Sequence, residues 1–177
     1  MSQEEHKAQA PASVACYVVT VSDSRTAATD SGGRLIRELL EGAGHRVLGQ
    51  AIVKDDPDAV ALHVEGQLIT PDVQVIITTG GTGITSRDGT FEAIDGLLQK
   101  RLEGFGELFR MLSYQEIGAA AMMSRATAGT AVRSQSVPTP SIPKAIFVLP
   151  GAPEAVRLAM TKLILPELGH VVQQLGR

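Results

Sequence analysis

The chain has 177 residues, with 16 Lys and Arg against 19 Asp and Glu and a formal net charge of −3. That length suits a single domain able to bury a good-sized core, and the mixed, slightly acidic charge argues against a general nucleic-acid surface. The absence of Trp and the scarcity of other aromatics weigh against base-stacking platforms, and a single cysteine rules out an internal disulfide framework and counts against a cysteine-based zinc site.

Residues 1–12 are polar and read as a disordered tail, leaving 13–177 as one α/β domain. No segment has the apolar length of a signal peptide or a membrane span, so a cytoplasmic protein with no membrane partner is expected. Residues 14–21 form a continuous valine-rich run, the pattern of a strand buried on both faces, with Cys16 as a small buried hydrophobe. The run stops at Ser22-Asp23-Ser24-Arg25. Thr29-Asp30-Ser31 offers caps for a helix carrying Leu35, Ile36, Leu39 and Leu40, which Gly42 and Gly44 end. Residues 46–53 read as a second strand closing at Lys54-Asp55-Asp56-Pro57. Asp56 reads as the start of a helix over about 57–68, with Pro57 near its favoured first position.

After the turn at Thr70-Pro71-Asp72, residues 73–78 read as a third strand. It runs into Thr79-Gly80-Gly81-Thr82-Gly83, followed by Arg87-Asp88. Two helical stretches are expected over about 91–102 and 106–118, parted by Gly104-Phe105-Gly106. Residues 126–132 are weakly extended, and 134–143, with three prolines, read as a surface loop. A last buried strand over 145–149 ends at Pro150-Gly151-Ala152-Pro153 and opens a final helix that Pro166 should kink or divide. The four histidines, His6, His45, His63 and His170, read as surface residues.

This alternation predicts a three-layer α/β sandwich: a mostly parallel central sheet, right-handed crossovers and helices on both faces. Ligands of such folds bind beyond the carboxyl ends of the strands. Those ends gather Ser22 and Asp23, Asp55 and Asp56, Thr79 to Gly83 with Asp88, and Pro150 to Ala152. Glycines let the backbone approach an anion, Thr79 and Thr82 add hydroxyl donors, and carboxylates hold Mg²⁺ against phosphate. The rim therefore reads as a nucleotide or phosphoester site. The phosphate loop with Gly-Lys-Ser/Thr, the Gly-x-Gly-x-x-Gly dinucleotide turn and the Gly-x-Ser-x-Gly hydrolase elbow are all absent from the sequence.

Five segments carry a more specific signal: Val19-Thr20-Val21-Ser22-Asp23-Ser24, Thr78-Thr79-Gly80-Gly81-Thr82-Gly83, Arg87-Asp88, Ser124-Arg125 and Leu149-Pro150-Gly151. Together they resemble the MoaB/Mog family of molybdenum cofactor biosynthesis, over about residues 14–168. Glu103-Gly104-Phe105-Gly106-Glu107-Leu108-Phe109-Arg110-Met111-Leu112-Ser113 looks more like the MoaB branch. The resemblance implies a molybdopterin adenylyltransferase that joins the AMP part of ATP to molybdopterin with Mg²⁺ and releases pyrophosphate. It matches Asp55 and Asp88 to the catalytic, metal-linked aspartates. Ser22, Asp23, Thr79, Gly80, Gly81, Thr82, Gly83, Ser124, Arg125, Pro150, Gly151 and Ala152 match the substrate-binding segments, and Arg125 would stabilise developing negative charge. It further implies a homo-oligomer, trimer or hexamer, and other proteins of the pathway as partners; the apolar Phe105, Phe109, Met111 and Leu112 beside two glycines suit an interface, and a buried helix gives the same pattern. The alternatives are a molybdopterin-binding protein with little catalytic activity and a phosphoester hydrolase of unknown substrate built on the same rim.

Overall fold

The computed structural model describes residues 9–132 and 142–176. Most of the polar tail and of the proline-rich loop lies outside the described residues. Six strands form one sheet in the order β2-β1-β3-β6-β5-β4: β1 (Ala15–Val21), β2 (Arg46–Val53), β3 (Val75–Thr79), β4 (Lys100–Arg101), β5 (Thr127–Ala131) and β6 (Lys144–Leu149). The four strands β2, β1, β3 and β6 run parallel. β5 and β4 complete the sheet antiparallel.

Successive side chains of a strand alternate between faces, and here both faces are covered. Cys16, Val18, Val75, Ile77, Ala145, Phe147 and Leu149 pack under α1 (Ser31–Gly42), α4 (Glu103–Ile117), α5 (Pro153–Ala159) and α6 (Leu165–Leu175). Val19, Val21, Ile76, Ile146 and Val148 pack under α2 (Pro57–Leu68) and α3 (Thr90–Asp95). The three-layer sandwich expected from the strand runs is the one observed.

Caps fix the helix starts. Asp30 accepts from the Gly33 N–H at 2.9 Å, and Asp56 accepts from the Ala59 N–H at 2.8 Å ahead of Pro57. Pro166 divides the last helix, as its missing N–H requires, through a π turn over Met160–Ile164 that lets α6 resume.

Four local expectations change. The helix expected over 91–102 stops at Asp95, and Lys100–Arg101 instead pair with Gly129 and Thr130 as an edge strand. Gly104-Phe105-Gly106 does not break a helix but lies within α4, where Phe105 packs against Phe109 and Phe147. Burial of two aromatic rings there overrides the weak helix propensity of glycine. That burial also removes Phe105 and Phe109 from any interface. His45, His63 and His170 are half-buried, not surface residues: Nδ1 of His45 accepts from the Val14 N–H at 3.2 Å, His63 lies 5.7 Å from the Tyr17 ring, and His170 Nδ1 lies 3.0 Å from the Glu167 carboxylate.

Candidate functional site

The site is built around the turn that ends β3. Gly80 and Gly81 have φ of +97° and +66°, a region that residues with a Cβ rarely adopt. Space enforces the same choice: a Cβ on Gly80 would sit 2.3 Å from the Val21 carbonyl, and one on Gly81 2.0 Å from Thr90 Oγ1 and 2.8 Å from Asp55 Oδ1. The turn is stitched to the end of β6, where the Gly80 N–H donates to the Leu149 carbonyl at 3.1 Å and Thr79 Oγ1 donates to the Pro150 carbonyl at 2.9 Å. The Thr79 hydroxyl, expected to face a ligand, is therefore spent inside the protein, and Thr82 is buried. Among the described residues no internal acceptor takes the N–H of Gly81 or Thr82. Those amides are the donors the turn can offer to an anion.

Carboxylates converge beside the turn. Asp23 Oδ1 accepts the Asp55 N–H at 3.1 Å, and its Oδ2 accepts from Arg87 Nη2 at 2.8 Å. Asp88 Oδ2 accepts from the N–H and the hydroxyl of Thr85, at 3.0 and 2.5 Å. Asp55 Oδ1 is buried with no hydrogen-bond partner. Burial raises the Asp55 pKa, the charges of Asp88 and Asp23 raise it further, and Arg87 opposes them. The Thr85 hydroxyl bond instead holds Asp88 below the usual carboxylate range. One aspartate is thus reluctant to ionise alone and its neighbour is not, which is how adjacent carboxylates are separated at reactive sites.

An unpaired buried carboxylate oxygen next to a second carboxylate fits a hard cation. Among the described residues no group of three or more His, Cys, Asp or Glu side chains could hold a metal ion. Asp55 and Asp88 alone could hold only part of a divalent cation's shell, and the remainder would have to come from phosphate oxygens and water.

A cleft of about 180 Å³ opens on the β1 side of the turn, between Ser22, Arg25, Ser31, Gly32, Gly80 and Gly151. Of these, Arg25, Ser31 and Gly32 escape the sequence reading. Their signal is the pair of glycines directly after a helix cap, in Asp30-Ser31-Gly32-Gly33. Asp30 is buried and accepts from Thr20 Oγ1 at 2.7 Å and Gln50 Nε2 at 3.0 Å, which fixes the start of α1 against β1 and β2. Ser22 Oγ accepts the N–H groups of Ser24 and Arg25, at 3.2 and 3.1 Å, and so shapes the loop.

Ser22, Asp23, Asp55, residues 79–83, Asp88, Pro150 and Gly151 share the rim, and Ala152 caps α5 beside it through the Val156 N–H, at 3.0 Å. Ser124 ends a 3₁₀ turn over Gly118–Met123. Arg125 lies behind the glycine loop, where its Nε donates to the Thr82 carbonyl at 2.9 Å.

Residues 17–170 match the family described as probable molybdopterin binding domain. The chain is 52% identical over 178 residues to the molybdenum cofactor biosynthesis protein B of Bacillus cereus, spanning 100% of this chain and 99% of that protein. A crystal structure of a molybdenum cofactor biosynthesis protein B superposes with a TM-score of 0.87 at 52% identity, over 96% of this chain and 99% of the other. The tungsten cofactor synthesizing protein MoaB of Pyrococcus furiosus superposes with a TM-score of 0.80 at 36% identity, over 95% of this chain and 100% of that one.

Proposed function

The chain belongs to the MoaB/Mog family of molybdenum cofactor biosynthesis proteins, and we propose that it adenylylates molybdopterin with Mg-ATP, releasing pyrophosphate. The observation that carries this reading is the meeting, at the glycine turn, of a buried, unpaired Asp55 oxygen with the fixed carboxylate of Asp88. In the reaction a phosphate oxygen of molybdopterin attacks the α-phosphorus of ATP in line. A new P–O bond forms as the bond from that phosphorus to the pyrophosphate oxygen breaks. Such a transfer needs positioning and charge neutralisation, not a covalent nucleophile. Mg²⁺, when bound by Asp55 and Asp88, supplies positive charge across the transferring phosphates.

The chain's own groups do the rest. The N–H groups of Gly81 and Thr82 donate to phosphoryl oxygens, and a side chain at position 81 would displace Thr90 and Asp55. Asp23 holds the backbone of Asp55 in place while Arg87 balances its charge. The cleft along Ser22, Gly32 and Gly151 gives a second anionic group room beside the turn. A homo-oligomer belongs to the same proposal, with the exposed apolar side of α4 as its interface.

The test is direct. Purified protein is mixed with molybdopterin and Mg-ATP, and adenylyl-molybdopterin and pyrophosphate are quantified. Product that requires both pterin and Mg²⁺, and that falls by about a hundredfold or more in Asp88→Ala while pterin binding is kept, is the expected result. Pterin binding without product makes this a binding protein of the pathway. AMP or phosphate release without pterin makes it a hydrolase.

A further inference from the structure

Each of the three side-chain nitrogens of Arg125 donates within the protein. Nε reaches the Thr82 carbonyl at 2.9 Å, Nη2 the Gly83 and Asp88 carbonyls, and Nη1 the carboxylate of Glu92. The guanidinium also lies over the Phe91 ring, 5.1 Å from its centre. An arginine that clamps a phosphate keeps its planar fork open toward it. This fork is closed on three loop carbonyls and an acid.

The consequence reaches Asp88. In a trans peptide the C=O and the following N–H point in opposite directions. Turning the Thr82 carbonyl toward Arg125 therefore turns the Gly83 N–H away from it. Gly83 lies directly against the Asp88 carboxylate, where a Cβ on it would sit 2.5 Å from Oδ2. The Asp88 carbonyl is itself within reach of Nη2, at 3.4 Å. Arg125 so grips the loop at both ends, before and after the segment 84–87. Glu92 and Phe91, from the start of α3, keep its head in place from the other side.

We infer that Arg125, braced by Glu92, is a positioning residue that sets the glycine turn and Asp88 for catalysis and does not itself bind substrate. The inference rests on reading the rim as an adenylyl-transfer site. It replaces the expectation that Arg125 meets developing charge directly.

Arg125→Lys, Arg125→Gln and Glu92→Gln are compared with the parent protein in two measurements. In steady-state adenylylation, Arg125→Lys is expected to lose about ten- to a hundredfold in kcat with KM for ATP and molybdopterin within about threefold. Lysine keeps the charge but cannot span three carbonyls, so it should rescue little over glutamine. Glu92→Gln, which leaves the arginine and the fold intact, should give a smaller loss of the same kind. In amide hydrogen exchange on the substrate-free proteins, residues 80–88 should exchange faster in all three variants. A rise of tenfold or more in KM with kcat retained, or full rescue by lysine, would overturn the inference. Should the parent protein not adenylylate at all, exchange decides alone: faster exchange in the loop upholds the brace although the proposed reaction has failed, and unchanged exchange removes it.

Discussion

The carboxylate of Asp55 is held where its charge is unwelcome. One oxygen is buried without a partner and two further aspartates stand nearby, so burial first and like charge second push its pKa up. A folded-state pKa raised above the unfolded value means that the folded chain binds the proton more tightly. The protonated form then adds stability at low pH, and that stability is lost as pH rises through the raised pKa. Asp55→Asn, which keeps the shape and drops the charge, should therefore raise Tm at pH 7. The gain should vanish at acid pH, where the parent residue is also neutral. Mg²⁺ should raise the Tm of the parent protein more than that of Asp55→Asn, which keeps Asp88 but has lost one of the two carboxylates. Thermal unfolding at several pH values, with and without Mg²⁺, checks all three. For the same reason adenylylation should climb with pH through the raised pKa of Asp55. Asp88, held low by Thr85, is already ionised over that range. An Asn variant less stable than the parent at pH 7 would mean that the unpaired oxygen costs nothing.

Elements meet through contacts of very different legibility. The amine of Lys144, the first residue of β6, is buried and donates to the Gln67 and Thr70 carbonyls at the end of α2. A cation at a helix C-terminus is favourable, and here it adds a charged donor to carbonyls that also accept the Thr70 and Val73 N–H groups. Burial lowers the Lys144 pKa, with Asp72 opposing. Lys144→Met should fill the same space yet remove two charged hydrogen bonds, leaving each carbonyl its backbone donor alone, at a cost of about 1–3 kcal/mol, read as a lower urea midpoint with unchanged slope. Nothing in the sequence announces this contact, because a lysine opening a buried strand looks like a boundary residue. The parallel strands were legible for the opposite reason: a strand covered on both faces must be apolar at every position, as Val75 to Ile77 and Ala145 to Leu149 are. Two residues cannot carry a period, so Lys100–Arg101 were unreadable as a strand. At the site, Asp55, Asp88 and the glycine turn were legible because parallel strands deliver their ends to one side. The closed fork of Arg125 and the cleft face of α1 were not, since both depend on how distant segments pack.

At the scale of the whole molecule, α4 leaves a series of apolar side chains facing solvent. On α4, Met111, Tyr114 and Ile117 are 51%, 64% and 56% exposed, and Leu108 joins them. Their threefold spacing winds them across the side of the helix opposite Phe105, Phe109 and Ser113, which are buried. Met122 and Met123 extend the patch through the following 3₁₀ turn. Exposed apolar side chains gathered along one helix are the surface that the proposed homo-oligomer would use. A trimer needs the helix of one copy to meet a different surface of the next, and such rotation closes the ring. Because these positions carry no core contact, Met111→Asp with Ile117→Asp should leave the circular dichroism spectrum unchanged. It should reduce the sedimenting species from a trimer or hexamer to a monomer. The 3₁₀ turn leads directly into Ser124 and Arg125, so loss of the neighbour should also slacken the grip on the glycine loop. Adenylylation by the double variant should fall with its mass, and activity of the parent protein should fall on dilution below the assembly range. A parent protein that sediments as a monomer would remove the interface. A double variant that is monomeric and fully active would leave the interface standing and cut its link to the site.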